Sequence, residues 1–237
     1  YECCSELEFV PSHYYLERGE WEDSTFVDVG LLPLGFAEYQ RVTGELPDRW
    51  EEAVLRFVDS YISDFKLQNG FFGQDRDSNS DVTERLFARG QGWALAGLLS
   101  AYQISDDKRY LYESEKLGDK MVENQMKDGY WGYLLGHGEA THRTQRISGA
   151  CEKTTSVLAY YLMELGSISG DVRYTRAALR ALEWCEDQIY LEHGSGYGGI
   201  VSSSRYSGIT DLPFVSVATG YANAYYILAK KKYKHNS

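Results

Sequence analysis

Three charged residues recur at nearly equal intervals along the chain, and their types suit acid–base chemistry and anion binding. Asp28, Arg89 and Glu152 stand 61 and 63 residues apart, each at the start of an apolar segment. A carboxyl group can donate or accept a proton, and a guanidinium can bind a carboxylate through two parallel hydrogen bonds. Each residue also has a structural interpretation, because the acids can cap their helices and Arg89 can pair with either acid. We expect the three side chains to surround one hollow.

These residues open segments that repeat along the whole chain. Four segments, 28–42, 89–104, 152–165 and 217–229, share an apolar texture, and their starts lie 61, 63 and 65 residues apart. Each reads as a helix that is apolar around most of its circumference, and such helices are buried on all sides. The repeat therefore predicts four buried helices.

A second, amphipathic helix follows each of the first three buried helices, at 50–65, 110–126 and 174–189. The turns between the paired helices supply Asp or Ser for the N-cap and Gly near the C-cap, as helix ends require. The unit of the repeat is therefore a buried helix, a polar turn and an exposed helix.

Each exposed helix ends in a glycine followed by aromatic residues. These aromatic loops lie at 69–72, 128–133 and 195–198, and residues 19–21 look like the end of an earlier unit. Loops on a rigid scaffold often carry function, so we expect the loops together to form a surface on which sugar rings stack. For any single aromatic, packing in the core is the alternative.

Buried and exposed helices in alternation predict an all-α fold, an α/α toroid in which the buried helices form the inner ring. We count seven helices in one partial α/α-barrel domain over residues 1–237. Its parts are the end of a preceding hairpin at 1–27, hairpins at 28–87, 88–150 and 151–216, and a last inner helix with a basic tail at 217–237.

The composition narrows the function classes. The 237 residues carry 24 Lys and Arg against 35 Asp and Glu, a formal net charge of −11. This argues against a nucleic-acid partner, because phosphate contacts need clustered cations. No run of 18 apolar residues exists, so we expect no membrane-spanning segment. The one basic run, 230–234, is interpreted as a solubilising tail.

The four cysteines form no CxxC pair and lack histidines at zinc-finger spacing. Cys151 and Cys185 are interpreted as small core residues, and a disulfide is left open. A reduced, cytoplasmic chain is the default expectation, with secretion as the alternative.

The sharpest motif lies at residues 87–93, which read Phe-Ala-Arg-Gly-Gln-Gly-Trp. It resembles the aromatic-Ala-Arg-Gly-(Asn/Gln)-(Gly/Ala)-Trp motif of the unsaturated glucuronyl and rhamnogalacturonyl hydrolases. Residues 26–34, Phe-Val-Asp-Val-Gly-Leu-Leu-Pro-Leu, resemble the family's inner helix that carries an Asp. Residues 151–160, Cys-Glu-Lys-Thr-Thr-Ser-Val-Leu-Ala-Tyr, resemble an inner helix that opens with an acidic residue and Ser or Thr. The resemblance covers roughly residues 20–230.

The resemblance implies a six-hairpin (α/α)6 barrel and an enzyme for unsaturated uronyl oligosaccharides. Such sugars carry a C4=C5 double bond beside a carboxylate, so the reaction is the hydration of a vinyl ether. Protonation at C4 leaves a cation at C5, water adds there, and the resulting hemiketal opens. The resemblance makes Asp28 the catalytic general acid and base. No metal or cofactor is required.

The resemblance also assigns residues that contact the oligosaccharide. Arg89 holds the substrate carboxylate, Trp93 stacks on a sugar ring or packs in the core, and Glu152 binds sugar hydroxyls or caps its helix. The full set of substrate-binding candidates is Phe87, Arg89, Gln91, Trp93, His142 and Glu152.

The chain also departs from the family pattern. A full six-hairpin barrel has twelve helices, and the aromatic loop 71–75 lacks the histidine that is common there. We expect either the C-terminal part of a longer protein, or a partial barrel completed by another chain or copy, or a descendant without catalysis. The rival functions are a sugar epimerase, which would need paired histidines, and a non-catalytic glycan-binding or assembly module.

Overall fold

A computed structural model describes residues 14–21, 24–77, 86–135, 150–189, 191, 197–200 and 220–236. Each of the seven helices predicted from the sequence is confirmed within this part of the chain. In chain order they are α1 Leu32–Thr43, α2 Asp48–Phe65, α3 Ala88–Ser105, α4 Lys108–Glu123, α5 Glu152–Ser169, α6 Val172–Asp187 and α7 Gly220–Asn236.

Short extended segments accompany the helices and were not predicted. Strands β1 (Tyr14–Tyr15) and β2 (Glu20–Trp21) form one antiparallel ribbon, and β3 (Ser24–Phe26) and β4 (Asp75–Asp77) form another. A 3-10 helix, Val27–Leu31, leads from β3 into α1. None of the described helices has the length and apolar composition of a bilayer span.

The helix ends follow the predicted turn chemistry. Gly44 and Gly170 stand at the C-caps of α1 and α5 with φ of 87° and 75°, a backbone conformation that glycine adopts without strain. Asp171 caps α6, and its carboxylate accepts a hydrogen bond of 2.8 Å from the backbone N–H of Arg173. These caps let α1 and α5 stop and α6 start within a few residues.

Burial of the predicted inner helices is confirmed for α3 and α5 and is wrong for α1 and α7. Every residue of 91–101 in α3 is buried, as is every residue of 154–159 in α5. Val42 of α1 and Ile227 of α7, by contrast, are 73% and 61% exposed. The first and last helices of a repeat series have a neighbouring unit on one side only, so one face remains uncovered.

The basic segment near the C-terminus is not a tail. Helix α7 continues to Asn236, and two of its lysines form ion pairs with neighbouring helices. Lys230 pairs with Glu186 of α6, and Lys232 pairs with Glu164 of α5. The positive charges therefore bind α7 to the helices that it packs against.

The chain divides into two compact units. Unit 1 comprises Tyr1–Leu86 and Trp93–Leu117, and unit 2 comprises Phe87–Gly92 and Gly118–Ser237. In unit 1 the core is built on α2, whose Val54, Val58, Tyr61 and Phe65 are buried along one stripe at helical spacing.

Two glycines allow a close backbone approach in unit 1. A Cβ added to Gly97 of α3 would lie 2.5 Å from the carbonyl oxygen of Gly30 in the 3-10 helix. A Cβ added to Gly30 would lie 2.7 Å from the hydroxyl oxygen of Tyr61 and 2.9 Å from the carbonyl oxygen of Trp93. Only hydrogen fits at either position, so this contact holds the segment that carries Asp28 against α3.

The sequence repeat is also a repeat of contacts between exposed helices. In unit 1, the Tyr110 hydroxyl of α4 donates to Asp59 of α2 at 3.0 Å. In unit 2, the Tyr174 hydroxyl of α6 donates to Asp119 of α4 at 3.0 Å, and Arg173 pairs with the same carboxylate at 3.0 Å. The exposed helices α2 and α4 therefore each offer a carboxylate that the first turn of the next exposed helix binds.

Replacement of Gly97 by alanine tests the backbone approach. We expect Gly97→Ala to lower the free energy of unfolding by about 1–3 kcal/mol, because the new methyl group overlaps a backbone oxygen that cannot rotate away. Gly35→Ala is the matched control, since nothing lies within 4 Å of a Cβ there and alanine favours the helix by about 0.5–1 kcal/mol. Urea unfolding followed by circular dichroism measures both; equal stability of Gly97→Ala and wild type would contradict the contact.

Removal of one hydroxyl tests the contact between exposed helices. We expect Tyr174→Phe to destabilise the chain by about 1.5 kcal/mol, because it deletes a partly buried hydrogen bond to a carboxylate. Tyr112→Phe removes a hydroxyl from a side chain that is 58% exposed and should change stability by less than about 0.5 kcal/mol. Thermal unfolding of the two variants decides the point, and indistinguishable melting would show that Asp119 gains nothing from Tyr174.

Candidate functional site

The site in unit 2 begins with a hydrogen bond between the first turns of two helices. Arg89 is the second residue of α3, and Tyr221 is the second residue of α7. The Nη1 atom of Arg89 donates to the Tyr221 hydroxyl oxygen at 3.0 Å, and both side chains are half-buried. The guanidinium is therefore held by a neutral oxygen while part of its surface remains open to solvent.

A buried carboxylate lies in the same neighbourhood. Glu152, the first residue of α5, is only 2% exposed, and its Oε1 lies 3.9 Å from Nζ of the partly exposed Lys153. Burial raises the pKa of the Cys151 thiol, and the charge of Glu152 raises it further. Burial and the Glu152 charge raise the pKa of Cys185 in the same order. The Glu152 charge therefore acts on groups from both α6 and the segment before α5.

The Tyr221 hydroxyl responds to both Arg89 and Glu152. Burial raises the pKa of Tyr221 to about 12, while the charge and hydrogen bond of Arg89 lower it and the charges of Cys151 and Glu152 raise it. Opposite charges therefore act on one oxygen from two helix starts. We call Arg89, Glu152, Lys153 and Tyr221 the Arg89 cluster.

Two aromatic rings border the cluster along the chain. Phe87 precedes α3, and its ring meets Tyr133 of the second aromatic loop edge to face, with centroids 5.0 Å apart. The backbone N–H of Ala88 donates to the carbonyl oxygen of Tyr133 at 3.1 Å. Both rings are half-buried, so each keeps part of its surface exposed.

The same aromatic loop positions the start of α5. Trp131 is fully buried, and its ring N–H donates to the carbonyl oxygen of Met121 at 2.8 Å. Its backbone N–H donates to the Thr155 hydroxyl at 3.2 Å, and its carbonyl oxygen accepts from the N–H of Cys151 at 3.1 Å. These bonds fix the first turn of α5, where Glu152 stands.

The aromatic loops were predicted to form a surface on which sugar rings stack. This prediction is wrong for the three loop aromatics that are buried. Phe71, Phe72 and Trp131 are 8%, 1% and 0% exposed, so they pack in the core. Tyr133 is half-buried and Tyr197 is 62% exposed. The loops bury most of their aromatic area because that area anchors the ends of the buried helices.

In unit 1, Asp28 is an exposed residue of the 3-10 helix. The N-caps of this helix and of α1 are Phe26 and Leu31, so the capping alternative for Asp28 is wrong. Tyr61 is buried beneath it and donates to the carbonyl oxygen of Val27 at 2.9 Å. Burial, together with the charge of Asp28, raises the pKa of Tyr61.

Two motif residues are more deeply buried than a contact role suggests. Trp93 is 8% exposed in unit 1, which agrees with the core-packing alternative. Gln91 has no exposed surface, and its side-chain amide donates to the carbonyl oxygen of Phe87, just before α3, at 3.2 Å. The Gln91 side chain therefore helps to hold the start of α3.

Within unit 2 the structure brings Arg89 and Glu152 to the neighbourhood of Tyr221. Asp28 and Trp93 belong to unit 1, and His142 lies outside the described residues. The sequence analysis missed Lys153 and Tyr221. A signal existed for Tyr221, because it lies near the start of the fourth apolar segment, 217–229. Among the described residues, no three His, Cys, Asp or Glu side chains are grouped as metal ligands would be.

No model of a known protein family and no curated protein matches this sequence. Several solved structures are similar to this chain in fold. One is an unsaturated glucuronyl hydrolase specific for heparin, with a TM-score of 0.74 and 17% identity over 97% of this chain and 63% of its own. Another is the unsaturated glucuronyl hydrolase from Bacillus sp. GL1, with a TM-score of 0.75 and 12% identity over 98% of this chain and 64% of its own.

A third similar structure is a possible member of glycoside hydrolase family 105 from Salmonella enterica, with a TM-score of 0.72 and 16% identity over 99% of this chain and 64% of its own. The likeness confirms the predicted all-α, six-hairpin fold. Two of the three are unsaturated glucuronyl hydrolases, the family that the motif at 87–93 resembles. The chain spans a little under two thirds of their length.

The titration of Tyr221 tests the Arg89 cluster. A negative neighbour disfavours the phenolate and a positive neighbour favours it. We therefore expect Glu152→Gln to lower the pKa of Tyr221 below about 12 and Arg89→Gln to raise it. The Cζ chemical shift of Tyr221, assigned with Tyr221→Phe and followed by NMR against pH, measures both. Shifts of the same sign, or none, would show that the two charges do not meet at this hydroxyl.

Proposed function

We propose that the chain acts on unsaturated uronyl oligosaccharides as a glycoside hydrolase-like enzyme that hydrates the C4=C5 vinyl ether. The observation that carries the proposal is the Arg89 guanidinium, held at 3.0 Å by Tyr221 and close to a buried carboxylate. The six-hairpin fold supports it, because solved structures with this fold include unsaturated glucuronyl hydrolases.

The binding of the substrate carboxylate is assigned to Arg89. A guanidinium binds a carboxylate through two parallel hydrogen bonds, and the half-buried Arg89 keeps part of its surface open to solvent. The half-buried rings of Phe87 and Tyr133 offer aromatic surface on which a sugar ring can stack. Glu152 is too deeply buried for direct contact with sugar hydroxyls and is assigned to the support of Lys153 and Tyr221.

The role of proton donor is assigned to Asp28. Its carboxyl group is exposed and caps no helix, so it can exchange protons with water and with a substrate. In the proposed reaction, Asp28 gives a proton to C4 and the positive charge develops at C5. Water then forms a bond to C5 and returns its proton to Asp28. The hemiketal then opens to a ketone at C5 and leaves a hemiacetal at C1. Collapse of this hemiacetal to an aldehyde releases the rest of the oligosaccharide as an alcohol.

The second candidate is a module without catalysis that binds glycans or assembles with another chain. It is favoured by apolar side chains that the described part of α7 leaves open, since Ile227 and Leu228 are 61% and 45% exposed. Such side chains often mark an interface with another chain or copy. This candidate retains sugar binding but lacks turnover.

Loss of ultraviolet absorbance by the vinyl ether tests the activity directly. We expect the wild type to consume unsaturated glucuronyl or galacturonyl disaccharides, and Asp28→Asn to be slower by about 10²–10⁴-fold, because an amide cannot donate the proton. Asp106→Asn is the matched control, since Asp106 is an exposed acid in the same unit at a positive φ that asparagine accepts.

An unchanged rate in Asp28→Asn would remove Asp28 as the proton donor. Unchanged absorbance with both disaccharides in the wild type would contradict the proposed activity. Binding without turnover, measured on the same disaccharides by calorimetry, would favour the non-catalytic module.

A further inference from the structure

Two exposed helices bind the next exposed helix through a carboxylate at the same position. Asp59 and Asp119 each stand 11 residues after the first residue of their helix, Asp48 in α2 and Lys108 in α4. Each carboxylate binds a tyrosine hydroxyl at 3.0 Å and an arginine, at 3.8 Å and 3.0 Å respectively, from the first turn of the following exposed helix. This position in an exposed helix is therefore an acceptor for the next one.

Glu183 occupies the same position in α6, 11 residues after Val172. Its side chain is exposed, and within the described ranges of the chain it has neither a hydrogen-bond nor an ion-pair partner. Glu186, one turn later on the same side of α6, binds Tyr226 and Lys230 of α7. Glu183 is therefore an acceptor that lies near α7.

Helix α7 repeats the sequence of α5 but not its burial. Residues 159–162 of α5 read Ala-Tyr-Tyr-Leu, and residues 224–227 of α7 read Ala-Tyr-Tyr-Ile. The last residues of these two segments are therefore equivalent, yet Leu162 is fully buried and Ile227 is 61% exposed. A neighbour that covers α5 at this position is thus absent from the described surroundings of α7.

The neighbour that covers this face of α5 is its paired exposed helix, α6. A Cβ added to Gly166, one turn after Leu162, would lie 2.5 Å from the hydroxyl oxygen of Thr175 in α6. The corresponding residues of α7 recur at helical spacing and are all exposed, and we call them the α7 face: Ala224, Ile227, Leu228 and Lys231. Among the described residues, no paired helix covers the α7 face.

We propose that the α7 face and Glu183 together bind one further amphipathic helix, which a partner chain supplies and whose first turn carries an arginine and a tyrosine. The apolar stripe of that helix covers Ile227 and Leu228, and its first turn binds Glu183 as Arg173 and Tyr174 bind Asp119. Burial of apolar area supplies most of the affinity, because exposed ion pairs contribute little. The carboxylate fixes the register of the bound helix.

The test adds a fluorescent synthetic peptide of residues 170–188 to the full chain. This peptide carries α6, so it has the apolar stripe that packs on the equivalent face of α5, with Arg173 and Tyr174 in its first turn. We expect binding in fluorescence anisotropy. The chain variant Ile227→Asp should bind the peptide about 10-fold or more weakly, because it places a charge in an apolar contact.

A double-mutant cycle tests the contact at Glu183. We expect Glu183→Gln in the chain and Arg173→Gln in the peptide each to weaken binding about 3- to 10-fold, and the two together to weaken it little more than either alone. Glu123→Gln is the matched control, because it removes the same charge from an exposed acid of α4 and should leave binding unchanged. Unfolding midpoints of the chain variants show whether a binding loss comes from a general loss of structure.

Three results would overturn the proposal. The first is a peptide that does not bind, and the second is a cycle in which the losses at Glu183 and Arg173 simply add. The third is a wild type that forms a stable dimer in sedimentation and becomes monomeric in Ile227→Asp, because a second copy would then occupy the α7 face. None of these outcomes depends on turnover of unsaturated disaccharides, so they are independent of the proposed activity.

Discussion

A helix that is buried on every side can hold a charged side chain only at its ends, and this constraint organises the molecule. The interior of α3 is buried from residue 91 to residue 101, where an unpaired charge would cost several kcal/mol. Arg89 stands in its first turn, as Glu152 does in α5. Charged side chains are therefore placed at the starts of the buried helices. Because these helices repeat along the chain, the charged positions repeat with them.

The aromatic loops serve the same constraint. The start of a helix leaves backbone N–H groups without partners, and at α5 the loop before it supplies a backbone oxygen and a packed indole. Trp131 holds both Cys151 and Thr155, on either side of Glu152. The loop therefore mainly supports the first turn of α5. Its last aromatic ring, Tyr133, keeps exposed area next to Phe87.

The sequence predicted the elements whose physics is local. The periodicity of the apolar residues and the turn residues between them located all seven helices. Gly44, Gly170 and Asp171 act as the predicted caps. The β3–β4 ribbon was missed, because Asp75 and Asp77 have the composition of a loop and pair with a segment about 50 residues away. Local pattern carries no information about such a distant pairing.

The candidate site was predictable only in part for a related reason. A motif shows that Arg89 is distinctive, but the hydroxyl that holds it comes from 132 residues further along the chain. The exposure of Asp28 and the burial of Trp93 likewise depend on tertiary packing, which the apolar periodicity alone cannot show. Residue type thus predicted the candidates, and long-range packing decided which of them are exposed.

The position of the Arg89 cluster in a chain of net charge −11 adds a final physical argument. At physiological salt, charges separated by more than about 8 Å in solvent are largely screened, so the acidic surface as a whole contributes little to the electrostatic potential at Arg89. Contacts within hydrogen-bond distance then decide whether an anion is accepted. The Tyr221 hydroxyl holds the Arg89 guanidinium without offsetting its charge, because a phenol is neutral. The buried carboxylate of Glu152 acts on the same hydroxyl and lies 3.9 Å from Lys153, so charges of both signs act on one oxygen at the helix starts.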